Sequence, residues 1–406
     1  MLNYDIIIIG SGIVGMTTAL LLAKNTSYKI ALLESKSALP VWPFSCYDHR
    51  VSAISLASKK IFQHAGVWNA IQAKRMSPYT KMHVWDEAGQ GEIQFDCTKL
   101  GEPALGYIIE ENVMRISLLD EIACYPQIDF IYPVKLISLH STLDHIELIT
   151  AEHAVLTTKL LIGADGAHSW VRLQTGIESK THDYKQTAIV ATVKTELPHQ
   201  ATAWQRFLFN GPLAFLPLDD PHMCSIVWST QHAHAQELLM LDDELFQRHV
   251  SIALAEKLGK ITAITERYHF PLHMRHAKQY IKERIALMGD AAHTIHPLAG
   301  QGVNLGLLDA ACLVETILAA DKKNRDFTNF PTLRRYERAR KSDNVAMLMA
   351  VDVLKSIFVN SNHTVQHMRN RGLHFANQLL PLKKFFMNYA LGNRRGLPSM
   401  ITNAMN

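Results

Sequence analysis

Three glycines near the amino terminus have the spacing of a phosphate-binding turn. Gly10, Gly12 and Gly15 form a Gly-x-Gly-x-x-Gly pattern, and Glu34 follows nineteen residues after the last of them. The first glycine permits a tight turn, the second lets backbone amides approach a pyrophosphate, and the third allows close packing of helix on strand. The amino end of the helix would stabilise the phosphate charge, and Glu34 would accept hydrogen bonds from a ribose. The pattern predicts a dinucleotide site, with a glycine-rich turn that binds no ligand as the alternative.

Two later segments each place an aspartate after an apolar run. Asp165 and Gly166 follow one run, and Asp290 follows another and leads into a glycine-rich stretch. Asp290 can accept a hydrogen bond from a ligand hydroxyl, and the glycines let backbone amides meet a planar ring. A new helix is expected to begin near Val303 and Asn304, where its positive end would stabilise an anionic ring. The predicted cofactor contacts are Asp165 and Gly166 in the first segment and Asp290, Gly300, Gly302, Val303 and Asn304 in the second, and the catalytic candidates are Pro297 and Gly302.

The composition is that of an ordinary globular protein. The 406 residues are 48% apolar and 19% charged, which indicates two domains or slightly more. A net charge of +4 gives no reason to expect a nucleic-acid partner. The five cysteines are widely spaced, so we expect thiols of a reducing cytosol and no disulfide framework. His293 and His296 form His-x-x-His, but no carboxylate or thiolate pattern completes a metal site, and we predict none.

The predicted elements that position these residues alternate between strand and helix. A strand over residues 4–9, a helix over 13–24 and a strand over 29–33 form a strand, crossover and parallel strand. Residues 188–228 hold β-rich runs separated by turn residues, which indicates a separate sheet. The sequence therefore predicts an α/β fold (α+β, two domains), in which a Rossmann-like dinucleotide-binding domain is interrupted by a β-sheet substrate domain and followed by a helical tail. The predicted boundaries are 1–75, 100–180 and 275–355 for the first domain, 76–99 and 181–274 for the second, and 356–406 for the tail.

The order and spacing of the three glycine and aspartate motifs resemble the fingerprints of the group A flavoprotein monooxygenases, the family of para-hydroxybenzoate hydroxylase. The resemblance implies bound FAD, with NAD(P)H as a transient reductant. It also implies that Arg50, in the segment Asp48-His-Arg50, reaches the FAD from the side opposite the glycine turn. A role for Asp48 as the cap of the following helix is the alternative. The family usually has Asn where this chain has Glu111, and Asn112 follows.

Further segments are similar to the hydroxylases of ubiquinone biosynthesis. The resemblance implies a polyprenylphenol and O2 as substrates and oxygen transfer to the phenol ring from a flavin C4a-hydroperoxide. Residues 188–228 are most similar to the enzymes that hydroxylate C5, and hydroxylation at C1 or C6 is the close alternative. Two further alternatives are another flavin oxidoreductase of a polyprenyl compound and a non-catalytic, flavin-stabilised assembly subunit. The similar segments are 52–55, 66–68, 105–110, 211–217, 225–228, 270–272, 289–306 and 336–338.

Such a reaction needs a dry pocket, because water promotes the loss of hydrogen peroxide from the flavin. The apolar residues of the second sheet are the candidates for the pocket wall, with ordinary core packing as the alternative. These candidates are Phe207, Phe215, Pro217 and Trp228.

Residues 356–406 hold six basic residues and no acidic one, interleaved with apolar side chains. This pattern predicts contact with an anionic membrane surface or an acidic partner of a biosynthetic complex, with a helix packed on its own protein as the alternative. No uninterrupted apolar run approaches the roughly 18 residues of a spanning helix. We therefore expect a cytoplasmic protein, peripheral on the inner face of the membrane. The basic residues are Arg369, Arg371, Lys383, Lys384, Arg394 and Arg395.

Overall fold

The isoleucine-rich run near the amino terminus forms the centre of a parallel sheet. The computed structural model describes residues 2–42, 45–87, 91–294, 302–359 and 397–402. The first sheet contains β1 (Leu2–Ile9), β2 (Ile30–Leu33), β8 (Ile128–Ile131), β9 (Leu136–Ser141), β10 (Ile146–Thr150), β11 (Val155–Gly163), β18 (Ile281–Lys282) and β19 (Ile285–Leu287). Its order is β18-β19-β11-β1-β2-β8, and the five strands from β19 to β8 are parallel. Strands β9 and β10 form an antiparallel hairpin, and β10 pairs with the first residues of β11.

The middle of the chain forms a second, largely antiparallel sheet. Its strands are β5 (Lys81–Asp86), β6 (Glu92–Asp96), β12 (Ser179–Thr195), β13 (Thr202–Leu208), β14 (Gly211–Pro217), β15 (Met223–Gln231), β16 (Ile261–Ile264), β17 (Tyr268–Ala277) and β20 (His293–Thr294). The order is β20-β17-β12-β15-β14-β13-β5-β6, with β16 on β12. The pair β13 and β5 is parallel. A separate three-stranded sheet joins β3 (Val51–Ile54), β7 (Gly106–Glu110) and β4 (Ser77–Tyr79).

Two apolar helices, α1 (Ile13–Asn25) and α8 (Gly302–Asp321), belong to the core of the first domain and bury most of their residues, as expected of core helices. They pack against each other. The described helices are α1 (Ile13–Asn25), α2 (Leu56–Ala65), α3 (Trp68–Lys74), α4 (Glu111–Ile122), α5 (Trp170–Gln174), α6 (His232–Met240), α7 (Asp243–Ala253), α8 (Gly302–Asp321), α9 (Phe330–Val359) and α10 (Ser399–Thr402). Single 3₁₀ turns lie at Cys97–Leu100 and Gly289–Ala291.

Helix α8 is the one helix in the described part of the chain that is long and apolar enough to cross a membrane. Because 67% of its most apolar 18-residue stretch is buried inside the protein, we interpret α8 as a core helix of the first domain.

The strand pairing supports a division into two domains with a discontinuous first domain, the fold class expected from the sequence. Strand β4 pairs with β7 beside the first sheet, so we propose a first boundary after Tyr79 in place of residue 76. The other boundaries stay predictions, although β12 begins at Ser179 and β17 ends at Ala277, so two strands of the second sheet extend past the predicted limits at residues 181 and 274. Of the predicted tail, the structure describes the end of α9 and residues 397–402, and the six basic residues lie outside the described part.

Candidate functional site

The glycine turn lies between β1 and α1, where the sequence predicts it. Gly10 has φ +106°, and a Cβ there would lie 2.4 Å from the carbonyl oxygen of Ala164. A Cβ on Gly15 would lie 2.0 Å from the carbonyl oxygen of Gly10, so this position needs the close approach that only glycine allows. A Cβ on Gly12 would meet no atom within 4 Å. The turn therefore leaves open space beside the amino end of α1, which a phosphate group can use.

Glu34 follows β2 and faces this turn. Its Oε2 accepts hydrogen bonds from the Ser11 hydroxyl at 2.7 Å and the Ser11 amide at 3.2 Å. Its Oε1 accepts one from the Lys36 amide at 3.0 Å. Burial by itself would raise the pKa of Glu34, but these hydrogen bonds outweigh it and lower the pKa. An ionised acceptor therefore stands beside the open space. Ser11, which orients the Glu34 carboxylate, carries no signal in the sequence that would have singled it out.

Asp165 lies just after β11, at the same edge of the sheet as the glycine turn. Its Oδ2 accepts a hydrogen bond from the Val171 amide at 3.0 Å. Its Oδ1 is buried and has no hydrogen-bond partner among the described residues. Burial raises the pKa of this carboxyl group. Gly166 follows with φ +79° and open space on its Cβ side. An acceptor oxygen that lacks a protein partner fits a site that is completed by a bound polar group.

The 3₁₀ turn after β19 presents Asp290 to solvent. Neighbouring protein atoms nevertheless desolvate the carboxyl group, and this desolvation raises its pKa. The charges of His293 and Arg50 act in the opposite direction, and that of Glu111 raises the pKa further. The structure thus brings Arg50 into electrostatic range of Asp290.

Arg50 lies in a segment that is held by α4. Its side chain is exposed, and its Nη1 lies 3.5 Å from Oε2 of Glu111, the residue that replaces the usual Asn. Asp48 does act as a helix cap, since its Oδ2 accepts a hydrogen bond from the Asn112 amide at 3.1 Å. The capped helix is α4 and not the helix that follows in sequence, which Ser55 caps. The exposed guanidinium of Arg50 remains available to an anionic ligand.

Helix α8 begins at Gly302, close to the predicted start. Val303 is partly buried, and the Asn304 side chain is fully buried. Oδ1 of Asn304 accepts hydrogen bonds from the Ser55 amide and the Ser58 hydroxyl, at 2.9 and 2.7 Å, and its Nδ2 donates to the Ala53 carbonyl at 2.8 Å. The Asn304 side chain therefore ties α8 to the β3–α2 junction, and only its backbone is left for a cofactor. Pro297 and Gly300 lie outside the described residues.

Phe215 and Trp228, predicted to line a substrate pocket with core packing as the alternative, lie in the core of the second domain, and a pocket role for them stays a prediction. Phe215 is fully buried and Trp228 is 3% exposed, and both belong to the core between the second sheet and helices α6 and α7. Because side chains alternate along a strand, their neighbours Leu216 and Val227 point to the other face. That face packs against Ala53 of the first domain.

The other two pocket candidates differ in their position on the second sheet. Pro217 pairs with Cys224, so the strand register places it on the same face as Phe215. Phe207 is on the opposite face, where it packs with Val84 and Ile93 near the outer edge of the sheet. A pocket role for Pro217 or Phe207 stays a prediction.

A buried charged group behind the Asp290 turn was missed by the sequence reasoning. Nε2 of His293 donates to Oδ2 of Asp309 at 2.5 Å. Arg340 donates to the other oxygen of Asp309 at 2.7 Å. No group of three or more His, Cys, Asp or Glu suited to a metal ion is found within the described ranges. His296 lies outside these ranges.

The residues present fit an FAD. Four groups lie at the carboxyl ends of parallel strands, where nucleotides bind in open α/β sheets. They are the open space at Gly12, the ionised Glu34, the Asp165 oxygen that has no partner among the described residues, and the exposed carboxylate of Asp290. Apolar residues of the second sheet, Leu216 and Val227, pack against Ala53 of the first domain. The fold and these residues define an FAD-binding α/β protein.

Comparison with known proteins agrees with this class. The chain matches the FAD binding domain family over residues 3–348 and belongs to that family. It is 37% identical over 388 residues to the 3-demethoxyubiquinol 3-hydroxylase of Escherichia coli (strain K12), covering 96% of this chain and 98% of that protein. It is 34% identical over 435 residues to the mitochondrial ubiquinone biosynthesis monooxygenase COQ6 of Rattus norvegicus, covering 95% and 90%.

A solved structure supports the fold. The p-nitrophenol 4-monooxygenase PnpA from Pseudomonas putida DLL-E4 has a TM-score of 0.78 at 18% identity, over 97% of this chain and 100% of that one. The predicted fold class, FAD cofactor and enzyme class are therefore confirmed, as is the resemblance to ubiquinone-biosynthesis hydroxylases.

Proposed function

We propose that this protein hydroxylates the aromatic ring of a polyprenylphenol in ubiquinone biosynthesis, using FAD, O2 and NAD(P)H. The carrying observation is the placement of Gly12, Glu34, Asp165 and Asp290 along one sheet edge, beside an apolar face of the second sheet. The sequence of residues 188–228 favours C5 as the ring position. NAD(P)H is proposed as a transient reductant because the sequence holds no second glycine fingerprint for a resident nicotinamide.

The chain's own residues would bind the cofactor along this edge. The α1 amino end at Gly12 and the Arg50 guanidinium would hold the phosphates, Glu34 a ribose, and Asp290 the flavin side chain, with the start of α8 at Gly302 and Val303 nearby. When bound, FAD supplies the activation of O2 that the reaction requires.

The second sheet would provide the dry wall that the reaction needs. Its inner face contributes Leu216, Leu218 and Val227, which pack against Ala53 and Ile108 of the first domain. Apolar contact between the domains excludes water, and exclusion of water prevents the loss of reduced oxygen as hydrogen peroxide. We therefore place the ring of the substrate against the Leu216 face of the sheet, and not against the Phe215 face.

A second candidate function has a specific observation in its favour. The Escherichia coli relative, which matches nearly the full length of this chain, is named for hydroxylation of 3-demethoxyubiquinol at position 3. The second candidate is therefore the same chemistry on a more highly substituted ring of the same kind of substrate.

Incubation of the purified holoenzyme with NADPH and ¹⁸O2 tests both candidates. A polyprenylphenol and a demethoxyubiquinol would be supplied separately, and the products would be identified by mass and fragmentation. We expect one ¹⁸O atom in the ring of one of them, and its position decides between C5 and the alternatives. Oxidation of NADPH with release of hydrogen peroxide and no labelled ring, with both substrates, would refute the hydroxylase proposal. The mass of the quinone precursor that accumulates in a deletion strain gives an independent readout.

We also propose that the protein works at the cytoplasmic face of a membrane, where its polyprenyl substrate dissolves. The basic, apolar composition of residues 356–406 supports this, either through anionic lipid or through an acidic partner of a biosynthetic complex. Near the end of the chain, helix α10 packs against α2 and α8. Its Ile401 side chain is buried, and the Ser399 amide donates to the Glu315 carboxylate.

A further inference from the structure

A group of buried polar side chains lies directly behind the turn that carries Asp290. Asp309, on α8, is fully buried, and the side chains of His293 and Arg340 are 1% and 5% exposed. Burying such groups is costly unless each is paired and hydrogen-bonded. None of these three residues contacts the cofactor or the substrate in the proposed reaction.

The carboxylate of Asp309 is surrounded by donors. Its Oδ2 accepts hydrogen bonds from the Gly289 amide at 3.0 Å and from His293 Nε2 at 2.5 Å. Its Oδ1 accepts from Arg340 Nε at 2.7 Å and from Asn344 Nδ2 at 3.2 Å. Burial would raise the pKa of Asp309, but His293 and Arg340 outweigh it and hold the pKa at about 2. The residue is therefore an ionised acceptor of four hydrogen bonds.

The Gly289 amide connects this buried group to the turn that carries Asp290. Gly289 has φ +55°, in the left-handed region, and its amide precedes Asp290 by one residue. Asp309 lies two helical turns after Gly302, the residue at which α8 begins. The same helix therefore has its amino end at Gly302 and, two turns later, the carboxylate that accepts a hydrogen bond from the Asp290 turn.

We infer that Asp309 is a positioning residue for the flavin half of the FAD site. It fixes the Asp290 turn relative to the amino end of α8, and His293 and Arg340 hold Asp309 in place. The inference rests on FAD binding, which the family shows, and is independent of the ring position that is hydroxylated.

The chemistry of the group separates positioning from simple stability. Asn at position 309 keeps the size of the side chain but offers one acceptor oxygen and one NH2 donor. If the oxygen faces Arg340, the NH2 group faces the Gly289 amide, and two donors then oppose each other. Asp343 provides a matched control, because it accepts a hydrogen bond from Arg340 Nη1 at 2.6 Å and acts on the group from the side away from Gly289.

The test measures two affinities on apoprotein prepared from the holoenzyme. FAD probes the whole site, and ADP probes only the half formed by Gly12 and Glu34. For Asp309→Asn we expect the FAD dissociation constant to rise about tenfold or more, as for loss of a hydrogen bond to a charged group. The ADP dissociation constant should change less than twofold. For Asp343→Asn both constants should stay within twofold of the wild type.

Three outcomes would overturn the inference: FAD affinity of Asp309→Asn within twofold of the wild type, equal weakening of FAD and ADP, or equal effects of Asp309→Asn and Asp343→Asn. If Asp309→Asn does not fold, His293→Leu removes a donor from the same carboxylate oxygen. It should weaken FAD binding about threefold or more with ADP unchanged, and unchanged FAD affinity would count against the inference. Wild-type FAD affinity in Asp309→Asn would refute the positioning role alone, whereas wild-type protein that binds FAD tightly but hydroxylates neither substrate would refute the proposed function alone.

Discussion

Replacement of Gly12 by Val separates the cofactor-binding role of the glycine turn from its structural role. The backbone at Gly12 has φ −74° and ψ 175°, which any residue adopts, and a Cβ would meet no atom within 4 Å. The cost to the fold is therefore the poorer helix cap, about 1 kcal/mol. The added methyl groups fill the space proposed for the phosphates. Loss of one or two charged hydrogen bonds there costs about 3 kcal/mol, or roughly a hundredfold in FAD affinity.

The assay compares the unfolding free energy of the apoprotein in urea with FAD binding, measured by titration and by the visible absorbance of the purified protein. Gly15→Ala is the contrasting variant, because its Cβ would lie 2.0 Å from the Gly10 carbonyl oxygen. We expect it to destabilise the apoprotein by about 1–3 kcal/mol or more. If Gly12→Val keeps FAD within threefold of the wild-type affinity, the phosphates do not lie at this turn.

The remaining predictions concern stability, pH and the tail. Glu110→Gln should cost about 3 kcal/mol or more in urea unfolding, because it leaves the buried guanidinium of Arg75, which donates to both Glu110 oxygens, without its charge partner; an unchanged midpoint would contradict this. Trp228→Phe should cost about 1–2 kcal/mol of unfolding free energy, because the smaller ring leaves a cavity in the core, while the indole N–H has no partner to lose within the described part of the chain; a raised KM would support a pocket role for Trp228. The pKa of Asp309, about 2, lies below its usual 3.8, so the stabilisation from its ionisation is complete above about pH 4 and is lost as the pH falls towards 2. Acid unfolding of Asp309→Asn should accordingly show a shallower pH dependence. Replacement of Arg369, Arg371, Lys383 and Lys384 by Gln should weaken binding to anionic vesicles by about 1 kcal/mol per charge removed. Binding that is unchanged and insensitive to salt would exclude the electrostatic attraction.

Local spacing was enough to predict the parts of the site that depend on backbone geometry. The β1–α1 turn, the acid after β2 and the start of α8 at Gly302 all lie within a few residues of their predicted places. Each is encoded by neighbours in sequence, because a tight turn or a close helix contact restricts the residue type at one position. The interruption of the first domain followed from the same kind of signal, a change from alternating strand and helix to β-rich runs.

Contacts between distant segments could not be predicted in this way. An alternating strand pattern shows that Phe215 and Leu216 lie on opposite faces, but not which face meets the first domain. The hydrogen bonds of Asn304 to the β3–α2 junction and of Asp309 to His293 and Arg340 join residues that are brought together only when α8 packs against α1, α2 and α9. Sequence alone therefore predicted the turn at which we propose that a dinucleotide binds, whereas the tertiary structure decided which side chains lie at this sheet edge and which support it from behind.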